Sequence, residues 1–100
     1  MRILPKIVNQ LCYLHDAWIV GRMSEEPRDY DVIVSFANWQ KAAVLIPGDA
    51  KPNSFGGWKF ADEGKSVDVW PGEMAWLMTN AAWSLAWHPR TNTEIFKSVK

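Results

Sequence analysis

The spacing of apolar residues predicts three helices. Over residues 2–16, apolar positions recur every three or four residues, which gives an amphipathic helix one buried face. A second helix is predicted over 39–46, with Asn38 as its N-cap and the Pro47-Gly48 pair as its end. A third is predicted over 73–80, directly after a second Pro-Gly pair.

Short β-branched runs predict the strands. The run A-W-I-V at 17–20 suits a buried strand, and D-Y-D-V-I-V-S at 29–35 is rich in residues that favour strands. Residues 55–61 and 66–70 flank the turn-like D-E-G-K at 62–65, which indicates a β-hairpin. The segment between the second helix and the hairpin is predicted to be a long loop.

The tail leaves two interpretations open. S-L-A-W-H-P suits a short strand, and T-E-I-F-K-S-V suits either another strand or a final helix. The order α-β-β-α-β-β-α predicts an α/β or α+β fold, with a small mixed sheet and flanking helices. A chain of 100 residues, 48% of them hydrophobic, is long enough for one domain, so 1–100 is treated as a single domain.

Charge and cysteine content limit the classes of partner and the cellular compartment that the sequence predicts. The chain has 11 basic and 11 acidic residues, so no basic excess favours a broad nucleic-acid or membrane surface. No apolar run approaches 18 residues, and no signal-like segment stands at the N-terminus. The lone Cys12 cannot form an internal disulfide, which favours a reduced, cytoplasmic protein. Seven tryptophans suit either core packing or a surface on which bases stack.

Three aspartates carry the candidate chemistry. Asp29 and Asp31 stand two apart on a predicted strand, so their side chains point to the same face. Asp68 lies in S-V-D-V-W, where its valine neighbours turn it to the face opposite theirs. If the two strands are neighbours, three carboxylates meet and form a site that Mg²⁺ prefers. The alternative is an ordinary D-x-D at a solvated strand end.

Residues before the first acid suggest phosphate contacts. Gly21 lets a phosphate approach backbone N–H groups closely, and Arg22, Ser24 and Arg28 can add polar contacts to it. The alternative is a polar turn in which Arg28 pairs with a neighbouring glutamate.

The stretch W-I-V-G-R-(x)5-R-D-Y-D-V-I-V, followed by S-V-D-V-W, resembles the DNA polymerase β-like nucleotidyltransferase superfamily. It is most similar to the head domains of tRNA CCA-adding enzymes and poly(A) polymerases. The block N-S-F-G-G-W-K-F also resembles small bacterial and phage-borne relatives of that head domain. The resemblance covers roughly 17–76.

The resemblance implies a minimal, metal-dependent nucleotidyltransferase that moves NMP from an NTP to a nucleic-acid or protein hydroxyl. Asp29 and Asp31 would hold Mg²⁺ or Mn²⁺, and Asp68 would complete the metal site and help activate the attacking hydroxyl. Gly21 would cradle the triphosphate. Arg22 departs from the family, which has a second Gly or a Ser at that position.

A different class of function is also open. A catalytically degenerate protein of the same fold, encoded by a phage or mobile element, would act as a binding, inhibitory or regulatory partner. The small size leaves a homodimer or a protein partner to complete the site. Phe55, Gly56 and Gly57 are either a local base-binding element or a turn before a strand. A toxin-silencing two-gene module is disfavoured because its G-S-x-x-R-G pattern is absent.

Overall fold

The computed structural model describes residues 3–21, 27–75 and 85–96. Within these ranges the chain forms two helices and seven strands. They are α1 (Lys6–His15), β1 (Trp18–Val20), β2 (Asp29–Val34), α2 (Phe36–Ala43), β3 (Lys51–Pro52), β4 (Trp58–Asp62), β5 (Lys65–Pro71), β6 (Leu85–His88) and β7 (Thr93–Phe96).

The strands form one mixed sheet in the order β3-β4-β5-β2-β1-β6-β7. The central pair, β2 and β5, is parallel, and the other neighbours are antiparallel. The chain can cross from β2 to its parallel neighbour because α2, β3 and β4 lie between them in sequence. This arrangement confirms the predicted α+β class with a small mixed sheet and flanking helices.

Alternation along the strands gives the sheet two different faces. Val32 and Val34 of β2, with Val67 and Val69 of β5, are fully buried in a core that includes residues of α1 and α2. On the opposite face, Ile33 belongs to a second, smaller apolar cluster. The two helices therefore cover one face, and Asp31 and Asp68 point to the other.

In both helices, N–H groups of the first turn donate hydrogen bonds to carboxylates that are distant in the sequence. α1 follows Pro5, which has no side chain to cap it, and the Asp62 carboxylate accepts hydrogen bonds from the N–H groups of Ile7 (2.8 Å) and Val8 (3.0 Å). At the start of α2, the Glu73 carboxylate accepts one from the Phe36 N–H at 2.9 Å. These acids occupy the place that a local cap would take.

The prediction of Asn38 as a helix cap was wrong. α2 begins at Phe36, so Asn38 lies inside its first turn, and its side-chain amide donates to the His15 carbonyl at 3.2 Å. Because the Glu73 carboxylate accepts a hydrogen bond from the Phe36 N–H, the helix starts earlier than a local cap at Asn38 would allow.

Other boundaries differ from the prediction as well. β3 lies within the segment predicted as a loop, and the tail forms β6 and β7, which supports the strand interpretation. Most of the predicted helix over 73–80 lies outside the described residues. In the described ranges no helix has the length and apolar character needed to cross a membrane.

Candidate active site

The three predicted aspartates lie on the face of the sheet opposite α1 and α2. In the parallel ladder between β2 and β5, Asp31 stands directly beside Asp68, and Asp29 stands beside Ser66. Paired residues in a ladder point to the same face, so the three carboxylates share one surface. The condition set by the sequence, that the two strands be neighbours, is therefore met.

Gly21 lies at the edge of this acidic surface. β1 pairs with β2 so that Val20 stands opposite Asp31, and Gly21 follows at once. Its φ of 97° is a backbone conformation that favours glycine, and its N–H donates to the Leu85 carbonyl at 2.8 Å. A Cβ at this position would lie 3.6 Å from Asp31 Oδ2. The glycine thus leaves open space beside the carboxylate.

The charges repel one another at Asp31. Burial raises the pKa of Asp31, and the negative charges of Asp68 and Asp29 raise it further, while Lys59 lowers it. Asp29 is exposed and Asp68 is half-buried. A concentrated negative charge of this kind is relieved either by a proton or by a cation.

Two polar neighbours hold the carboxylate of Asp68. The Lys59 ammonium lies 3.8 Å from Asp68 Oδ2, and the Asn53 side-chain amide donates to Asp68 Oδ1 at 3.2 Å. The Lys59 side chain is 60% exposed and that of Asp68 is 19% exposed. An ion pair this open to solvent contributes at most about 1 kcal/mol, so Lys59 can leave without a large energetic cost.

The predicted phosphate-contacting residues are only partly described. Arg28 is exposed, and its carbonyl accepts a hydrogen bond from the Ser66 N–H at 3.0 Å, which ties the start of β2 to β5. Arg22 and Ser24 lie outside the described residues. The roles of all three in binding phosphate stay predictions.

The residues present suit a divalent cation by charge and by donor chemistry. Carboxylate oxygens are the ligands that Mg²⁺ and Mn²⁺ prefer, and the raised pKa of Asp31 marks the place where a cation would relieve repulsion. In the described part of the chain, no three acidic, histidine or cysteine side chains are already arranged around one point as metal ligands. Asp29 and Asp31 would hold the ion, and Asp68 would join them once Lys59 moves aside.

Sequence reasoning missed Lys59 and Asn53. The position of Lys59 beside Asp68 could have been predicted. The β4–β5 hairpin turns through Glu63 and Gly64, both at positive φ, and a two-residue turn fixes the register. That register pairs Lys59 with Asp68. The bond from Asn53 had no comparable signal, since it depends on how the loop after β3 folds against β5.

His88, in β6, is buried. Its Nδ1 lies 2.8 Å from the Thr91 hydroxyl, and its Nε2 lies 3.5 Å from Asp16 Oδ1. Its ring packs against Trp18 with centroids 4.8 Å apart. A cavity of about 260 Å³ lies beside this pair, lined also by Glu73.

Comparisons with protein-family models, with curated proteins and with solved structures find no match to this chain. The nucleotidyltransferase resemblance therefore stays a prediction from the quoted motifs.

Proposed function

We propose that this protein is a metal-dependent nucleotidyltransferase that moves NMP from an NTP to a hydroxyl of a nucleic acid or protein, with pyrophosphate as the leaving group. The observation that carries the proposal is the strand register, which sets Asp31 beside Asp68 and Val20-Gly21 opposite Asp31. In-line phosphoryl transfer depends mainly on positioning and charge neutralisation, and these adjacent carboxylates can hold a cation beside a glycine that leaves room for phosphates.

Each residue has a defined task in this proposal. Asp29 and Asp31 hold Mg²⁺ or Mn²⁺, which supplies charge neutralisation to the triphosphate when it is bound. Asp68 would complete the metal site once Lys59 moves aside and would help activate the attacking hydroxyl by accepting its proton, with the acceptor on the β5 side of Asp31. Gly21 leaves room for the triphosphate. Lys59, released from Asp68, would attract an incoming anion by its positive charge.

The transfer itself is tested with an NTP labelled at the α-phosphate, incubated with cell lysate and Mg²⁺ or Mn²⁺. Label is expected in an acceptor with the wild-type protein and with Asp49→Asn, an exposed control. It is expected to fall at least a hundredfold with Asp31→Asn, because removing one ligand of a charge-neutralising site costs several kcal/mol. Equal labelling by both variants would contradict the assignment.

A second candidate is a catalytically silent protein of the same fold that binds a partner. The contacts of Lys59 and Asn53 with Asp68 favour it, because they occupy the oxygens that a metal would need. In this case Lys59 substitutes for the cation, and the protein binds Mn²⁺ only when the Lys59 charge has been removed by substitution.

Mn²⁺ binding followed by electron paramagnetic resonance separates the two candidates. An enzyme is expected to bind Mn²⁺ as wild type, and Lys59→Met is expected to tighten binding about two- to fivefold, which is the worth of an exposed ion pair. A silent protein binds Mn²⁺ only as Lys59→Met. Lys41→Met, on the outer surface of α2, is the charge-matched control.

The proposal extends to location and assembly. A reduced Cys12 thiol, buried in the core, fits a cytoplasmic protein. The partners expected are an NTP and a nucleic-acid or protein acceptor, with no membrane. A homodimer or a protein partner would supply acceptor contacts that a small domain lacks, and sedimentation with and without Mg-NTP measures this assembly.

A further inference from the structure

An exposed aromatic ring is held beside the acidic surface. Phe55 is 56% exposed, yet its ring packs against Trp70, with centroids 4.9 Å apart and planes tilted by 35°. One face of Phe55 is thus supported by a second aromatic ring. A large apolar side chain left in water on an ordered support is typical of a binding surface.

The loop that carries Phe55 is fixed by Asn53. The Asn53 side-chain oxygen accepts hydrogen bonds from the N–H groups of Phe55 (3.0 Å) and Gly57 (2.9 Å). Gly57 lies so close to β5 that a Cβ there would sit 1.9 Å from the Val69 carbonyl oxygen. Because the loop is already ordered, a ligand that binds Phe55 does not have to pay for ordering it.

The same side chain ties the ring to the carboxylates. The Asn53 amide nitrogen donates to Asp68 Oδ1, so one side chain contacts both the acidic surface and the aromatic loop. Trp70 follows Asp68 by two residues, so the two share one face of β5, about 7 Å apart along the strand. With a divalent cation on the carboxylates, that distance suits a ligand with an anionic end and a flat aromatic end joined by a short spacer.

We propose that Phe55, supported by Trp70, is the platform on which the base of the NTP stacks, and that it favours purines. The inference rests on the proposed function, since the acidic surface must hold the triphosphate for the base to reach the ring. Phe55 is a binding residue in this proposal, and Asn53 is a positioning residue.

Stacking sets the kind of selectivity expected. Every base has a π-face, so a platform binds all four, and discrimination comes from the strength of stacking. A purine covers more of an aromatic ring than a pyrimidine does. Mg-ATP is therefore expected to bind a few-fold more tightly than Mg-CTP, and stacking on Phe55 accounts for the difference.

The test is isothermal titration of the full chain with Mg-ATP, Mg-CTP and Mg-tripolyphosphate, which has no base. Phe55→Ala is expected to weaken Mg-ATP binding about tenfold and to leave Mg-tripolyphosphate binding unchanged. Phe55→Leu keeps apolar contact with Trp70 and is expected to weaken Mg-ATP binding to a similar extent. Phe55→Tyr keeps the aromatic ring and is expected to bind Mg-ATP like wild type. Phe36→Ala is the control. Phe36 is also exposed, at 62%, but it lies at the start of α2 and not in the loop that carries Phe55.

The outcomes separate this inference from the proposed function. If wild type binds both Mg-ATP and Mg-tripolyphosphate and Phe55→Ala changes neither, the platform is wrong and the triphosphate site stands. If Phe55→Leu binds Mg-ATP like wild type, contact area rather than stacking explains Phe55, and the inference is overturned. If wild type binds neither probe, the proposed function fails and the platform with it.

Discussion

Replacing Asp62 with alanine tests how α1 is held to the sheet. Asp62 ends β4 and is only 4% exposed, and its carboxylate accepts hydrogen bonds from the Ile7 and Val8 N–H groups. These are the second and third residues of α1, whose free amides would otherwise be satisfied by a local cap. Pro5 has no side-chain donor or acceptor to replace it. We therefore expect Asp62→Ala to strip the helix start of its partner.

The structure sets the size of the effect. Leaving a buried N–H without a partner costs about 1–3 kcal/mol, and Val8 is fully buried, whereas the Ile7 bond is half-buried. A negative charge at a helix N-terminus adds about 0.3–1 kcal/mol. Removing the carboxylate also removes its own desolvation penalty, which offsets part of this loss. The net loss in the free energy of unfolding is expected to be about 3 kcal/mol.

Thermal unfolding followed by circular dichroism measures the loss. A domain of this size shifts by about 4–8 °C per kcal/mol, so Tm is expected to fall by about 12–24 °C. Asp49→Ala, at an exposed position, is the matched control and is expected to change Tm by less than about 3 °C. Asp62→Asn is expected to lie between them. An Asp62→Ala protein as stable as the control would refute the reasoning.

The remaining predictions concern the site, the loop and the thiol. Asp31→Asn is expected to raise Tm at pH 7 by about 2–8 °C, because facing like charges cost about 0.5–1 kcal/mol. This advantage should shrink as the pH falls. Burial and the neighbouring acids raise the pKa of Asp31, so the folded protein takes up the proton at a higher pH than the unfolded chain does. A lower Tm for Asp31→Asn than for wild type at pH 7 would contradict the prediction. Gly57→Ala is expected to lower the free energy of unfolding in urea by about 3 kcal/mol, since its Cβ would lie 1.9 Å from the Val69 carbonyl oxygen. Gly48→Ala is the control, because its Cβ would have nothing within 4 Å. Equal losses in the two variants would disprove the contact. Burial raises the pKa of the Cys12 thiol to about 12, so Ellman's reagent at pH 8 should label it only in denaturant, and rapid labelling of native protein would show the packing to be wrong.

Much of the candidate site was predictable from local pattern. D-Y-D-V-I-V is typical of a strand, so the shared face of Asp29 and Asp31 follows from the two-residue period of a strand. The valines around Asp68 predicted its orientation in the same way. The Glu63-Gly64 turn fixes a hairpin register that puts Lys59 opposite Asp68, and this consequence could have been drawn without coordinates.

The start of α2 was not predictable from local pattern. Asn38 is a favoured cap residue by type, but Glu73 supplies the hydrogen bond at Phe36 from 37 residues away, and it overrides the local preference. β3 was missed for a related reason, because its two residues become a strand only through pairing with β4.

By itself, the sequence determined which strand residues share a face and where the hairpin turns. These properties depend on the fixed periods of helix and strand and on backbone preferences within a few residues. Only the tertiary structure decided that β2 lies parallel to β5, that Asp62 serves the start of α1, and that Asn53 joins Asp68 to Phe55. Those contacts join residues far apart in the chain, and their free energy appears only when the sheet has assembled.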